Sequence, residues 1–331
     1  MKHYKTEDLD FKNGSQEEQS RLREIFEDLK RRATDNKVLL EREKDFFCMC
    51  LKLSDLDDGN PQDFSVCNDF IFKELYLTYF HNNLEGPFYK PQKGRLVEVT
   101  IQEQQKDYRA LMKISDNWYE EIKNERHGDP ILQELAIETR RDLRTLDSKY
   151  PRFKRYFKKH QDDYRLKKDK IILQSKFIHE LVKSVNENNE SQDFEIPFSN
   201  EIIEFTIYSL IHIVSRHYAE PIKDNPDKTY HYGHFYPTEL HIDLKNILLE
   251  IDTLKLIDIN QTDSITFKYK NVTYKLYVQK RFKQKKGIKG NIQIFRVQTF
   301  YPIYSDADLR TISDNNNEIV LNPELSVFIK K

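Results

Sequence analysis

Apolar positions recur at helical spacing through most of the first half of this 331-residue chain. Residues 15–48 read as helix: Leu22, Ile25, Phe26 and Leu29 share one face, and Ser15 with Glu18 three residues on forms a capping box. The apolar stretch 69–84 fits helix or strand equally by period. Turn-rich loops at 54–64 and 86–94 flank it. From about Glu98 to Val185 the pattern is helical almost throughout. Breaks are expected at 128–130 and 150–151, because proline tolerates a helix start but not its interior. Leu132, Leu135, Ala136 and Leu143 give one stripe; Ile171, Ile172, Phe177, Ile178, Leu181 and Val182 give another. The polar segment 186–200 is the expected main domain boundary.

The texture then changes. EIIEFTIYSLIHIVSRHY, 201–218, reads as one strongly apolar helix. A loop rich in Tyr, His and Pro follows to Pro237. Residues 238–252 form an amphipathic helix, with Thr238 as N-cap and Leu240, Leu244, Ile247, Leu248 and Ile251 on its apolar face. Residues 264–270, 272–282 and 291–302 read as strands, the first two joined by a tight turn at Lys270-Asn271. The expected fold class is α+β. A helical region, 1–190, of unassigned role precedes a small domain, 200–304, of two helices packed on an antiparallel sheet. Residues 305–331 are expected as a tail.

Composition changes this picture little until charge is located. A third of the residues are charged, yet net charge is −1, so the whole-chain balance names no partner. Basic residues outnumber acidic ones from Arg140 to Lys170. From Lys268 to Arg296 there are ten Lys/Arg and no Asp or Glu. Two positive surfaces on a neutral chain point to a local anionic ligand such as nucleic acid; the bland reading of each is a solvated face. Cys48, Cys50 and Cys67 form no disulfide framework and read as buried thiols. No apolar run reaches about 18 residues, and the first residues lack a signal-peptide core, so the expectation is a cytoplasmic protein with no membrane partner. There is no P-loop, dinucleotide fingerprint or Gly-x-Ser-x-Gly elbow, and no cofactor is expected.

Period-2 alternation puts Lys275, Tyr277, Gln279 and Arg281 on the outward face of their strand, with Lys268 and Lys270 beside them. In the last strand, Ile292, Ile294, Arg296 and Gln298 share one face. Phe295, Val297, Thr299 and Tyr301 share the other. Five of the ten histidines fall within 212–241: His212, His217, His231, His234 and His241. Such clustering has three causes: metal binding, acid–base chemistry or chance. His231, His234 and His241 could form a three-histidine site, although the expected metal content is none. His212 and Arg216 are i, i+4 neighbours, and a bland reading makes His212 a core residue. His217 lies at the helix end.

HIVSRHY at 212–218, the helix–helix–meander order and QTFYP at 298–302 resemble the barnase–EndoU–colicin–RelE-like nuclease superfamily, especially its phage-associated branches. The resemblance covers about a third of the chain. It implies a metal-independent endoribonuclease, acting as a toxin or phage-defence effector. A ribose 2′-hydroxyl would attack the adjacent phosphate to leave a 2′,3′-cyclic phosphate. It further implies His217 as base or acid, Lys275 or Arg281 against the phosphorane, Thr299 on a phosphate oxygen, and Arg296 assisting. The second acid–base group stays open among His212, His231 and His234. RNA and an antitoxin or regulatory protein are the partners it implies. Two rivals stand beside it. Arg155 and His160, in RYFKKH, fit the Arg-x4-6-His formula of HEPN-type ribonucleases. A non-catalytic nucleic-acid- or protein-binding module would use the same basic sheet.

Overall fold

The computed structural model describes residues 3–10, 15–34, 39–40, 42–43, 46, 70–80, 87–92, 95–124, 128–218, 229, 231, 234–284 and 291–331. The three cysteines, and the basic loop 285–290, lie outside these. The chain divides into two compact units. One holds residues up to Asn124, apart from Gly59–Gln62, together with Leu143–Glu180. The other gathers Glu125–Asp142 and Leu181–Lys331.

The first unit is mainly helical: α1 (Thr6–Leu9), α2 (Gln16–Thr34), α3 (Phe70–Tyr79) and α4 (Ile101–Asn124), with a hairpin of β1 (Tyr89–Gln92) and β2 (Arg95–Glu98). The Ser15 side chain caps the helix start as expected: the Glu18 amide donates to Ser15 Oγ at 3.2 Å. Leu22, Ile25, Phe26 and Leu29 are all buried. The ambiguous 69–84 stretch resolves as α3, with Phe72, Leu75, Tyr76 and Tyr79 inside. Helix α5 (Pro130–Lys149), the single turn α6 (Arg152–Arg155) and α7 (Lys158–Asn188) follow, with the breaks where the prolines require them. The division between the units falls within α5 and α7. In the first unit, Trp118 of α4 donates its indole N–H to Ser175 of α7 at 2.8 Å, so its one polar atom is satisfied in the core.

The second unit is α+β around a seven-stranded mixed sheet in the order β3-β4-β7-β6-β5-β9-β8. Its strands are β3 (Glu195–Phe198), β4 (Glu201–Glu204), β5 (Ser264–Tyr269), β6 (Val272–Gln284), β7 (Asn291–Ile303), β8 (Asn316–Val320) and β9 (Leu325–Lys330). Helices α8 (Ile207–His217), α9 (Leu240–Asp252) and α10 (Asp306–Asn315) complete it. The meander β5-β6-β7 is antiparallel, as the alternation predicted. Lys270 and Asn271 both take positive φ, 47° and 66°, the conformation of a two-residue hairpin turn. All five residues of the expected apolar face of α9 are buried, but the helix starts at Leu240 with Glu239, not the expected Thr238, at its N-cap.

Further expectations are corrected. Residues 15–48 are not one helix, because α2 ends at Thr34 and residues 39–40 are non-helical. Residues 201–218 are not one helix. Ile202 and Ile203 belong to β4, and a reciprocal cap between Thr206 and Ser209 starts α8 only at Ile207. The sheet is not wholly antiparallel, because β4 runs parallel to β7 at Ile203–Phe295 and Glu204–Arg296. Residues 305–331 are no tail. They form α10 and then β8 and β9, and Leu325 and Val327 of β9 join the core beside β5.

Candidate active site

The site is built where α8 ends beside β7. Strand β4 stops pairing at Arg296, and among the described residues no strand neighbours that β7 edge beyond it. Side chains take over its carbonyls. Ser209 Oγ donates to Val297 O at 2.6 Å, His231 Nε2 to Phe300 O at 3.0 Å, and Thr229 Oγ1 to Pro302 O. The sequence alternation of β7 fails at one residue. Tyr277 pairs with Thr299 but Val278 pairs with Val297, so Gln298 is a bulge. The inward positions are therefore Phe295 and Val297 before it, and Phe300 and Pro302 after it. Thr299 and Tyr301 do not share the face of Phe295 and Val297, as strict alternation predicts. They stand on the face of Lys275 and Tyr277, their cross-strand partners.

His217, the last residue of α8, completes this cluster. Its Nδ1 lies 3.0 Å from Thr229 O, and its Nε2 lies 3.0 Å from Thr299 Oγ1. A carbonyl only accepts, so Nδ1 carries the proton. In the neutral ring Nε2 is then the acceptor of the Thr299 hydroxyl. The imidazole stacks on Tyr301, centroids 5.1 Å apart, and Tyr301 stacks on Tyr277 at 6.2 Å. The ammonium of Lys275 rests 4.7 Å from the Tyr277 ring centroid. Burial, reinforced by Tyr277, pushes the Tyr301 phenol up to about 12, so it keeps its proton at neutral pH. All five side chains are half-buried.

Arg296 and Arg281 extend the same face past the bulge. The Arg296 guanidinium lies 3.9 Å from the Tyr208 ring centroid and donates to Gln298 at 3.2 Å, and Gln298 donates in turn to the Tyr208 hydroxyl. Its Nε is buried with no partner among the described residues. Burial and the nearby Arg281 charge both lower the Arg296 pKa.

The other expected site residues go elsewhere. His212 and Arg216 face α5 rather than the sheet cluster. His212 Nδ1 is 3.2 Å from Glu138, and Arg216 bonds Glu138 through Nε at 2.9 Å and through Nη2, and Asp142 through Nη1. They are a buried ionic clamp, as their i, i+4 spacing allows. His231 is enclosed by Tyr218, Phe235, Tyr274 and Phe300, and burial lowers its pKa to about 3, so it is neutral. His234 pairs with the Tyr274 hydroxyl at 3.0 Å, and His241 stacks on Phe194. His231 and His234 thus share Tyr274 as a neighbour while His241 packs elsewhere, and among the described residues no three His, Cys, Asp or Glu group as metal ligands. In the first unit Arg155 lies over Tyr164 and pairs with Asp147 at 3.4 Å, while His160 abuts Tyr150.

Sequence reasoning missed Tyr301 and Tyr277 as members of the site. Their signal was present in the Tyr-rich strands, but alternation alone placed Tyr301 on the wrong face. No helix among the described residues is long and apolar enough to cross a membrane. No family model, curated protein or solved structure matches this chain.

Proposed function

We propose that the chain is a metal-independent endoribonuclease of the barnase–EndoU–colicin–RelE-like kind, working in the cytoplasm as a toxin or phage-defence effector under an antitoxin or regulatory partner. One observation carries the reading: His217 Nε2 lies 3.0 Å from the Thr299 hydroxyl, on a face shared with Lys275. An imidazole anchored by its Nδ1–H, with Nε2 accepting from a hydroxyl, is the arrangement a general base needs. In the proposed reaction Nε2 takes the proton of a ribose 2′-hydroxyl. The 2′-oxygen bonds to phosphorus and the bond from phosphorus to the 5′-oxygen breaks, which leaves a 2′,3′-cyclic phosphate. Lys275 and the Thr299 hydroxyl face the charge that builds on the phosphoryl oxygens. The phenol of Tyr301 supplies the proton to the departing 5′-oxygen. Arg296 and Arg281 hold a neighbouring phosphate along the face.

The test is RNA cleavage by the full chain in excess EDTA, beside His217→Ala and His160→Ala. The expected result is cyclic-phosphate ends that fall about 10²–10⁴-fold in His217→Ala and persist in His160→Ala. Loss confined to His160→Ala would move the chemistry to the helical unit. Binding of RNA with no cleavage by folded wild type would make this a binding module.

A further inference from the structure

The first unit carries a surface that the proposed reaction does not use. Between Asp147 and Asp162 the chain has no carboxylate side chain. Within this window Phe153, Tyr156 and Phe157 are 72%, 89% and 64% exposed. Large apolar rings this open, side by side, are costly to leave in water. Arg152, Lys154, Lys158 and Lys159 lie among them, all exposed, and no ion pair among the described residues holds any of the four. Arg155 is different: Asp147 and the Tyr164 ring fix it.

The placement of the charges is unfavourable for folding alone. Lys158 and Lys159 open the 31-residue helix α7, whose first turn has no acid. Cations at the positive end of a helix dipole repel it, and an anion there relieves the strain. The ring planes are also not parallel. Tyr156 and Phe157 stand at 90° with centroids 6.4 Å apart, and Phe153 sits on the separate single turn α6. A lipid surface favours side chains that enter in one direction. Rings that present separate π-faces between cations suit successive unstacked bases with phosphates between them.

We propose that Phe153, Tyr156 and Phe157, with Arg152, Lys154, Lys158 and Lys159, form a binding site for single-stranded nucleic acid. Bases stack on the rings, and the backbone runs along the cations. The site is independent of the His217 chemistry, and its test uses a probe that the proposed reaction cannot cleave. That probe is single-stranded oligo(dT) of about 12 nucleotides, which has no 2′-hydroxyl, titrated against the full chain. Replacing the three rings together by leucine keeps the apolar surface and removes stacking. The expected result is binding weakened by about tenfold or more, with the dependence on salt little changed. Lys158→Gln with Lys159→Gln should instead flatten the log–log salt dependence by about 1–2. Oligo(dT) binding that is absent in wild type, or unchanged by the triple leucine variant, overturns the proposal. So does binding to vesicles of anionic phospholipid that survives the leucine variant while oligo(dT) binding does not depend on the rings.

Discussion

Replacing Arg216 with alanine tests the ionic clamp between α8 and α5. The guanidinium, Glu138 and Asp142 side chains are 8%, 10% and 13% exposed. Deleting one partner of such a group strands the others, at a cost of about 3–5 kcal/mol. Titration gives a second route to the magnitude. Burial alone would raise the Glu138 pKa, but the His212 hydrogen bond and the Arg216 charge outweigh it and hold the carboxyl at about 2, against 4.5. That depression corresponds to about 3 kcal/mol at neutral pH, less whatever solvent screens. The two figures agree in size. The folded value lies below the unfolded one, so this stability is present above pH 4.5 and is lost as pH falls through 2. Thermal unfolding of the full chain reads both. At about 2–4 °C per kcal/mol, Arg216→Ala should melt about 6–20 °C below wild type at pH 7. The gap should close as pH falls below 4.5, because stranded carboxylates take up protons. A gap under about 2 °C at pH 7, or one that widens in acid, would refute the clamp.

Three further outcomes follow from the same geometry. His231 is held neutral, with its folded pKa of about 3 below the ordinary 6.5. Its contribution is therefore full above pH 6.5 and falls as pH drops toward 3; His231→Leu should remove that pH dependence while costing about 1–3 kcal/mol at pH 7, because Phe300 O loses its donor, both read by denaturant unfolding. Lys270→Asn with Asn271→Gly suits the positive φ angles of the hairpin turn and should raise stability by about 0.5–1 kcal/mol, whereas Asn271→Val should lower it by about 1–2 kcal/mol in the same assay. Lys275→Ala should lower RNA cleavage by about 10²-fold or more with unchanged melting, since it is half-exposed and its contact is the face of Tyr277.

The meander, the α9 stripe and the Lys270-Asn271 turn were legible because local rules decide them: alternation, a 3.6-residue period and a two-residue turn. The fate of residues 201–218 was not. Ile202 and Ile203 look like more of the apolar helix, and only pairing with β3 and β7 makes them strand. Residues 305–331 are short and polar in α10, so nothing local announced that β9 closes over β5. In the site, His217, Thr299 and Lys275 were named only through the resemblance; they lie together because the bulge turns Thr299 to the face of Tyr277 and Lys275. His212 and Arg216 were not separable from His217 by sequence, because their partners Glu138 and Asp142 lie more than seventy residues away. The face of Tyr301 was misread because a bulge has no fixed residue signature.

That bulge makes one residue of β7 dispensable for its alternation. Val297 looks inward opposite Val278 and Thr299 outward opposite Tyr277, with Gln298 the extra residue between them. Joining Val297 directly to Thr299 would restore plain alternation, with Thr299 and Tyr301 still outward and Phe300 still in the core. What such a deletion removes is the amide that links the Arg296 guanidinium to the Tyr208 hydroxyl. Shortening the strand by this one codon therefore separates the anchoring of Arg296 from the placement of His217 and Thr299.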